Sequence, residues 1–404
     1  MRLLHVIPTY VPAWRHGGPV AATHGLCKAL ATRGHEVTVF TTDVHGAGTL
    51  DVPRAAPVAV DGVTVWYFPV AAPRRLYRSP AMGAALVPGG RLQGVAAFDL
   101  VHLHSVFLWP TAAAARAARR AGVPYLVAPR GMLVSDLLRR RGRLRKRLWI
   151  RLVERRTLAR AAAIHATSEL EAADLARLGL GLALPPVRVV PNGVEIEPLL
   201  PDAPLSPAVR AALACPGLLL FLGRVSWKKG LDRLVAALAH APQATLAIAG
   251  NDEEGYLATV ERLAAEAGVA ARVLRLGPVH GADKAALLHG AAALVLPSYS
   301  ENFGNVVLEA MAAGCPVVVT PEVGLAATVA ETGAGLVTSG EPALLGAALG
   351  RLLADPAARA AMGSRGAEAA ARHFSWQAIA GRMELVYDSL LAAHRHPAAV
   401  PAPA

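Results

Sequence analysis

The sequence predicts an α/β protein of two doubly wound domains in tandem. Three observations predict it. Short apolar runs alternate with Ala- and Leu-rich helical segments from the first residues onward, the βαβ pattern of a mostly parallel sheet with helices on both faces. A proline- and acid-rich stretch at 197–208 breaks the pattern, which then restarts. The chain, at 404 residues, is long enough for two cores.

The first series of strands is RLLHVIP (2–8), EVTVFTTD (36–43), VTVWYFPV (63–70), LVHLHSV (100–106), YLVAP (125–129), AIHATS (163–168) and VRVVPNG (187–193). GPVAATHGLCKALATRG (18–34) is the first helix. The second series is LLLFLGRV (218–225), TLAIAG (245–250), RVLRLGPV (272–279), ALVLPS (293–298), PVVVT (316–320) and GLVT (335–338). GLDRLVAALAHA (230–241) and EGYLATVERLAAEAG (254–268) are among its helices. The expected division is a domain over 1–196, a linker over 197–208, a domain over 209–374 and a helix over 375–395 returning to the first domain. A disordered tail is expected over 396–404.

Composition limits the function classes. Hydrophobic residues make up 54% and charged residues 17%, a globular balance. Three scattered cysteines, Cys27, Cys215 and Cys315, have no metal-type spacing and no even count, which argues for a reducing compartment. The N-terminal run carries no signal-peptide pattern, and no apolar stretch reaches the roughly 20 residues of a membrane span. A cytoplasmic protein is expected. The net charge is +12, and it is uneven: 26 Lys+Arg stand against 10 Asp+Glu in residues 1–190, and 15 against 19 in the rest. The densest basic run, 139–156, fits either a solvated helix face or peripheral contact with an anionic membrane. No aromatic platform or nucleic-acid module accompanies it, so nucleic acid is not an expected partner.

Open α/β sheets bind ligands beyond the carboxyl ends of their strands, and the candidate motifs lie there. Gly17 and Gly18 stand after the first strand and before the first helix, where backbone N–H groups approach an anion. His102 and His104 share one face of their strand, with His104 near its end. In FLGRVSWKKGLD (221–232), Arg224 and Lys229 stand beside a helix start, a natural diphosphate clamp. In ALVLPSYSENFGNVVLEAMAAG, Glu301 falls in the loop after a strand. Asn302, Phe303, Gly304 and Asn305 turn into the next helix, and Glu309 lies about one turn inside it. A carboxylate accepts two hydrogen bonds from vicinal hydroxyls. Glu309 sits in an otherwise apolar helix, where an unpaired carboxylate is costly, so it is expected to have a partner.

These motifs, in this order, resemble the retaining GT-B glycosyltransferases of family 4. GGPV…RGHEVTVFTT (17–42), VHLHS (101–105), PNGV (191–194), FLGR…KKGLD (221–232), IAG (248–250), LGPV (276–279) and PSYSENFG (297–304) carry the likeness over roughly residues 1–390. PYLVAPRGML (124–133) is similar to enzymes that assemble bacterial cell-surface glycans such as exopolysaccharide and lipopolysaccharide O-antigen. The resemblance implies two Rossmann-like domains facing each other across a cleft. It implies that Glu309 binds the nucleotide ribose and that Glu301 contacts the donor sugar. Asn302, Phe303, Gly304 and Asn305 would offer backbone donors, Arg224 and Lys229 would neutralise the diphosphate, and Val279 would lie beside the base. Gly17 and Gly18 would meet the donor phosphate, and His104 would stand near the anomeric centre. No DxD motif precedes the site, and no metal or cofactor is expected. The expected donor is a UDP- or GDP-hexose, UDP being favoured, and the expected acceptor a lipid-linked or other glycan. A nucleotide-sugar epimerase, a sugar phosphorylase and a non-catalytic nucleotide-sugar-binding protein are the alternatives.

Overall fold

The computed structural model describes residues 1–14, 17–54, 56–87, 94–133, 149, 153–177, 184–195 and 203–396. Most of the basic run 139–156, and residues 397–404 of the tail expected over 396–404, lie outside the described residues. The chain divides into two compact units, Met1–Gly193 with Trp376–Ala404, and Val194–Ser375.

The first unit is built on an eight-stranded sheet of order β10-β9-β8-β7-β1-β2-β6-β5 among the described residues. Its members are β1 (Arg2–Val6), β2 (Glu36–Thr42), β5 (Pro57–Val60), β6 (Val63–Phe68), β7 (Leu100–His104), β8 (Tyr125–Ala128), β9 (Ala163–Ala166) and β10 (Val187–Val189). Only the β5–β6 pairing in this sheet is antiparallel. Strand β5 begins with a proline and lies at the sheet edge, the place where a missing ladder N–H is tolerated. It and the two-residue hairpin of β3 (Val44–His45) and β4 (Gly48–Thr49) are too short to show as periodic runs. The central strands are buried along most of their length because helices cover both faces; β7 and β8 are buried at every residue, the histidines of β7 included. Progression from β1 runs outward to β2 and β6, then jumps to β7 on the other side. The switch point therefore lies between β1 and β7.

The Trp376–Arg395 helix belongs to this unit. Its first residue is clamped between two glycines. A Cβ on Gly25 would lie 2.2 Å from the Trp376 ring, and one on Gly193 would lie 2.5 Å from it. Farther along, Glu384 accepts two hydrogen bonds from the Arg33 guanidinium at 2.7 and 2.6 Å and is 2.7 Å from His35 Nε2.

The second unit is built on a six-stranded, all-parallel sheet of order β13-β12-β11-β14-β15-β16. The strands are β11 (Leu218–Leu222), β12 (Thr245–Ala249), β13 (Val273–Gly277), β14 (Ala293–Leu296), β15 (Val317–Val319) and β16 (Gly335–Val337). The chain moves from β11 out to β13, then returns to β14 beside β11, which puts this unit's switch point between β11 and β14. The end of the sequence-defined linker differs from expectation. Residues 207 and 208 already belong to the Pro207–Leu213 helix, because Ser206 caps Val209 N–H and Pro207 is preorganised for a first turn.

Candidate functional site

In the second unit the loops after β11 and β14 meet at the switch point. The β14 loop is held from both sides: Tyr299 N–H donates to Lys228 O at 2.8 Å, and Glu301 N–H donates to Glu322 O at 3.0 Å. Glu301 O accepts from Gly324 N–H at 2.9 Å and Phe303 O from Leu325 N–H at 3.1 Å. Phe303 is buried and anchors the turn. Gly304 has φ 95° and ψ 57°, a left-handed conformation that glycine adopts without penalty. It opens the Asn305–Ala312 helix, whose N-terminus receives no side-chain cap. Asn302 and Asn305 flank it half-buried. A helix start of this kind presents N–H donors and a partial positive charge to an anion.

The charged groups come in two lysine–carboxylate pairs. Lys229 Nζ pairs with Glu301 Oε2, bringing the two switch-point loops together, and both side chains are about four-fifths buried. Glu309, half-buried on its helix, pairs with Lys284 Nζ at 3.3 Å. Lys284 belongs to the Gly281–Gly290 helix and was not singled out in the sequence; a contact between two helices leaves no local spacing to read. Arg224 is exposed at the start of the loop after β11, and Val279 is buried just after β13. The second unit thus brings together Glu301, Lys229 and the Asn302–Asn305 turn, with Glu309 one turn into the same helix.

The remaining candidates belong to the first unit. Gly17 is exposed with φ 74° and caps the Gly18–Thr32 helix through its backbone alone. His104 departs from its expected place at a cleft surface. It is 0% exposed, and both ring nitrogens are engaged: Nε2 lies 3.0 Å from His5 Nδ1, and Nδ1 lies 3.2 Å from Arg130 Nη2. A guanidinium only donates, so Nδ1 of His104 is the acceptor and Nε2 carries the proton toward His5. The reason is geometric. His5 and His102 are in register on β1 and β7, so three imidazoles share one face of the buried centre. His102 continues the set, 3.2 Å from His165 Nδ1 and 2.8 Å from Tyr387 Oη of the Trp376–Arg395 helix.

Burial holds these histidines neutral. His5 and His165 are lowered to about 3 by desolvation, with the Arg130 charge adding to it. His102 and His104 are lowered well below the ordinary value for the same first reason. Nitrogens of His5, His102 and His104 lie within 4.8 Å of one another, a spacing that suits a metal ion. Their chemistry fits poorly: His104 is already bonded to His5 and to a cationic guanidinium, which repels a second cation.

Arg130, Ser105 and Phe107 carry positive φ values of 55°, 75° and 63°. All three follow the carboxyl ends of β7 and β8, where strained backbone in α/β sheets accompanies function. Arg130 was not selected from the sequence; PRG reads locally as turn chemistry. Two buried carboxylates support these loops. Glu171 accepts from Gly131 N–H and Thr167 N–H, each at 2.7 Å, and Glu154 accepts from Phe107 N–H at 2.6 Å.

Two units, each built on a wholly or mostly parallel sheet, define the fold class, the GT-B architecture. Residues 17–193 match the family described as "Glycosyl transferase 4-like domain", and residues 213–369 match "Glycosyl transferases group 1". A D-inositol 3-phosphate glycosyltransferase of Xylanimonas cellulosilytica is 33% identical over 402 residues, covering 92% of this chain and 91% of that protein. The protein of the same name from Frankia alni is 32% identical over 409 residues, covering 93% and 94%. Among solved structures, sucrose-phosphate synthase of Thermosynechococcus elongatus superposes with a TM-score of 0.75 over 97% of this chain and 100% of that one, at 24% identity. HepE of Anabaena, in complex with UDP and glucose, superposes with a TM-score of 0.72 over 96% and 100%, at 19% identity. The chain belongs to the family 4 GT-B glycosyltransferases, and it is a glycosyltransferase.

Proposed function

We propose that this enzyme transfers a hexose, with retention and without a metal ion, from a nucleoside-diphosphate sugar to a hydroxyl of a phosphorylated acceptor. The observation that carries the donor side is the switch-point loop of the second unit. There an uncapped helix N-terminus stands beside Lys229 and Glu301, with Glu309 one turn farther on. In this reading Glu309 accepts from the ribose hydroxyls and Glu301 from hydroxyls of the donor sugar. Arg224, Lys229 and the N–H groups of Asn302, Phe303, Gly304 and Asn305 face the diphosphate, with Val279 beside the base. Lys229 releases Glu301 as phosphate arrives, so charge that is paired internally becomes charge on the leaving group. Gly17 and Gly18 offer a second set of N–H donors to phosphate. His104 acts from behind, as a positioning residue for Arg130.

The UDP complex of HepE supports uridine as the base. The name borne by the relatives, D-inositol 3-phosphate glycosyltransferase, supports a small phosphorylated polyol as acceptor. A second reading, a lipid-linked cell-surface glycan taken at the inner face of the cell membrane, rests on the basic run 139–156. Among the described residues no helix is long and apolar enough to cross a membrane. Of the basic residues of that run, Arg155 and Arg156 are described, and both are exposed.

Calorimetric titration with UDP, GDP and ADP tests the donor assignment. The expected result is saturable binding of one nucleotide, retained after exhaustive dialysis against a chelator. Absence of binding by all three removes the assignment. For the acceptor, vesicles containing anionic lipid that fail to sediment the protein remove the membrane reading.

A further inference from the structure

Arg130 carries a charge that no carboxylate of the described residues meets by direct contact; the buried Glu171 acts on it only through space. Its Nη1 donates to Asn192 Oδ1 at 2.7 Å and its Nη2 to His104 Nδ1 at 3.2 Å, so both bonds go to neutral acceptors. Its Nε is buried with no hydrogen-bond partner. Among the described residues no carboxylate forms an ion pair with it, and the nearby Glu171 is engaged by Gly131 N–H, Thr167 N–H and Thr167 Oγ1. The imidazoles on its inner side are neutral and hydrogen-bonded to one another. A half-buried guanidinium stays protonated, and burying a charge with no directly bonded counter-ion is costly. The site nevertheless holds it rigidly, on a left-handed residue fixed from behind by a histidine and an asparagine. That is the construction of an anion receptor in which the counter-charge arrives with the ligand.

We propose that Arg130, held by His104 and Asn192 at the carboxyl end of β8, is the anchor for a phosphoryl group of the acceptor. The proposal rests on the transferase reading and deepens its acceptor half. Three features converge on it. The arginine stands one strand from the switch point of the first unit, where α/β sheets take ligands. Ser105 and Phe107, also left-handed, stand after the neighbouring strand. The planar fork of arginine matches two phosphoryl oxygens, which a lysine cannot do. The chemistry is common to a phosphorylated polyol and to a lipid diphosphate, and Arg130 serves either.

The test uses the full-length wild-type chain. Phenylglyoxal modification, mapped by mass spectrometry, reads the reactivity of Arg130 with inorganic phosphate or with sodium chloride at matched ionic strength. Slowing of Arg130 modification by phosphate alone, about tenfold at saturation, is the expected result; equal rates in the two salts overturn the proposal. Repeating the protection with D-inositol 3-phosphate and with farnesyl diphosphate separates the two sources. Protection by either at lower concentration than inorganic phosphate supports an acceptor site of that class, and protection by neither overturns the acceptor assignment. Arg130→Met and Arg130→Lys then report by calorimetry. Both variants are expected to keep wild-type nucleotide affinity while phosphate binding falls at least tenfold in Arg130→Met and less in Arg130→Lys. Loss of nucleotide binding in both would sink the proposal as a separate site. Failure of nucleotide binding in the wild type would instead count against the donor reading.

Discussion

At the scale of single residues, the proposed donor site is a balance between charges the protein pairs internally and charges it would offer to a ligand. Glu309→Ala removes a charged acceptor, and the expected cost is about 1.5 kcal/mol or more in nucleotide affinity. Calorimetry beside the wild type checks it, and equal affinity would rule out the ribose role. Lys229→Met makes a sharper distinction. It removes a cation from the proposed diphosphate subsite and leaves Glu301, about four-fifths buried, without its lysine. The nucleoside diphosphate is expected to lose at least tenfold in affinity while the parent nucleoside changes little. A parallel loss for both would mean that Lys229 supports the loop rather than the phosphate. Glu301, Glu309 and Lys229 were legible in the sequence because loop-to-helix chemistry after a strand is local. Lys284, the partner of Glu309, was not, since two separate helices bring the pair together. His104 was legible as a special position, but its burial was not. That burial depends on the β1–β7 register, which sets His5 beside His102.

At the scale of elements, the Trp376–Arg395 helix shows how one segment is fixed by small residues far away in the chain. Gly25 and Gly193 leave room for the Trp376 indole, and neither can accept a Cβ without displacing it. Gly193→Ala is expected to cost about 1–3 kcal/mol through overpacking, measured by urea unfolding; a change below about 0.5 kcal/mol, within the range of ordinary surface substitutions, would show that the indole moves aside freely. The tail helix itself was readable in the sequence as a helical segment. Its partner residues were not: the glycine of PNGV looks like turn chemistry, and its structural requirement appears only when the indole is seated on it. The order of the sheets is a similar case. Strand runs can be read from apolar segments, whereas the jump from β6 to β7 across β1 is a property of the packed sheet.

Across the whole molecule, the two units differ in how they hold ionisable groups, and acid should separate them. Among the described residues every buried histidine lies in the first unit. His5, His102, His104 and His165 are kept neutral by burial, their protonation pushed below the ordinary 6.5. In the unfolded chain the same groups take up protons below about 6.5, so the unfolded state binds more protons than the folded one. Stability is therefore fully present above about pH 6.5 and declines as pH falls, over a window reaching about 3 for His5 and His165. Each group contributes up to about 1.4 kcal/mol per pH unit within its window. Glu384, depressed by its hydrogen bonds to Arg33, adds stability that is present above the ordinary carboxylate range and is lost as pH falls through its lowered value. Residues 1–190 already carry an excess of basic side chains, so protonation there also adds self-repulsion. Hydrogen exchange followed by mass spectrometry from pH 7 to pH 4.5, corrected for the intrinsic pH dependence of exchange, is expected to show β1, β7 and β9 losing protection before β11 and β14. Simultaneous loss, or earlier loss in the second unit, would mean that the buried histidines do not govern acid stability and that the polar centre of the first unit admits protons without unfolding.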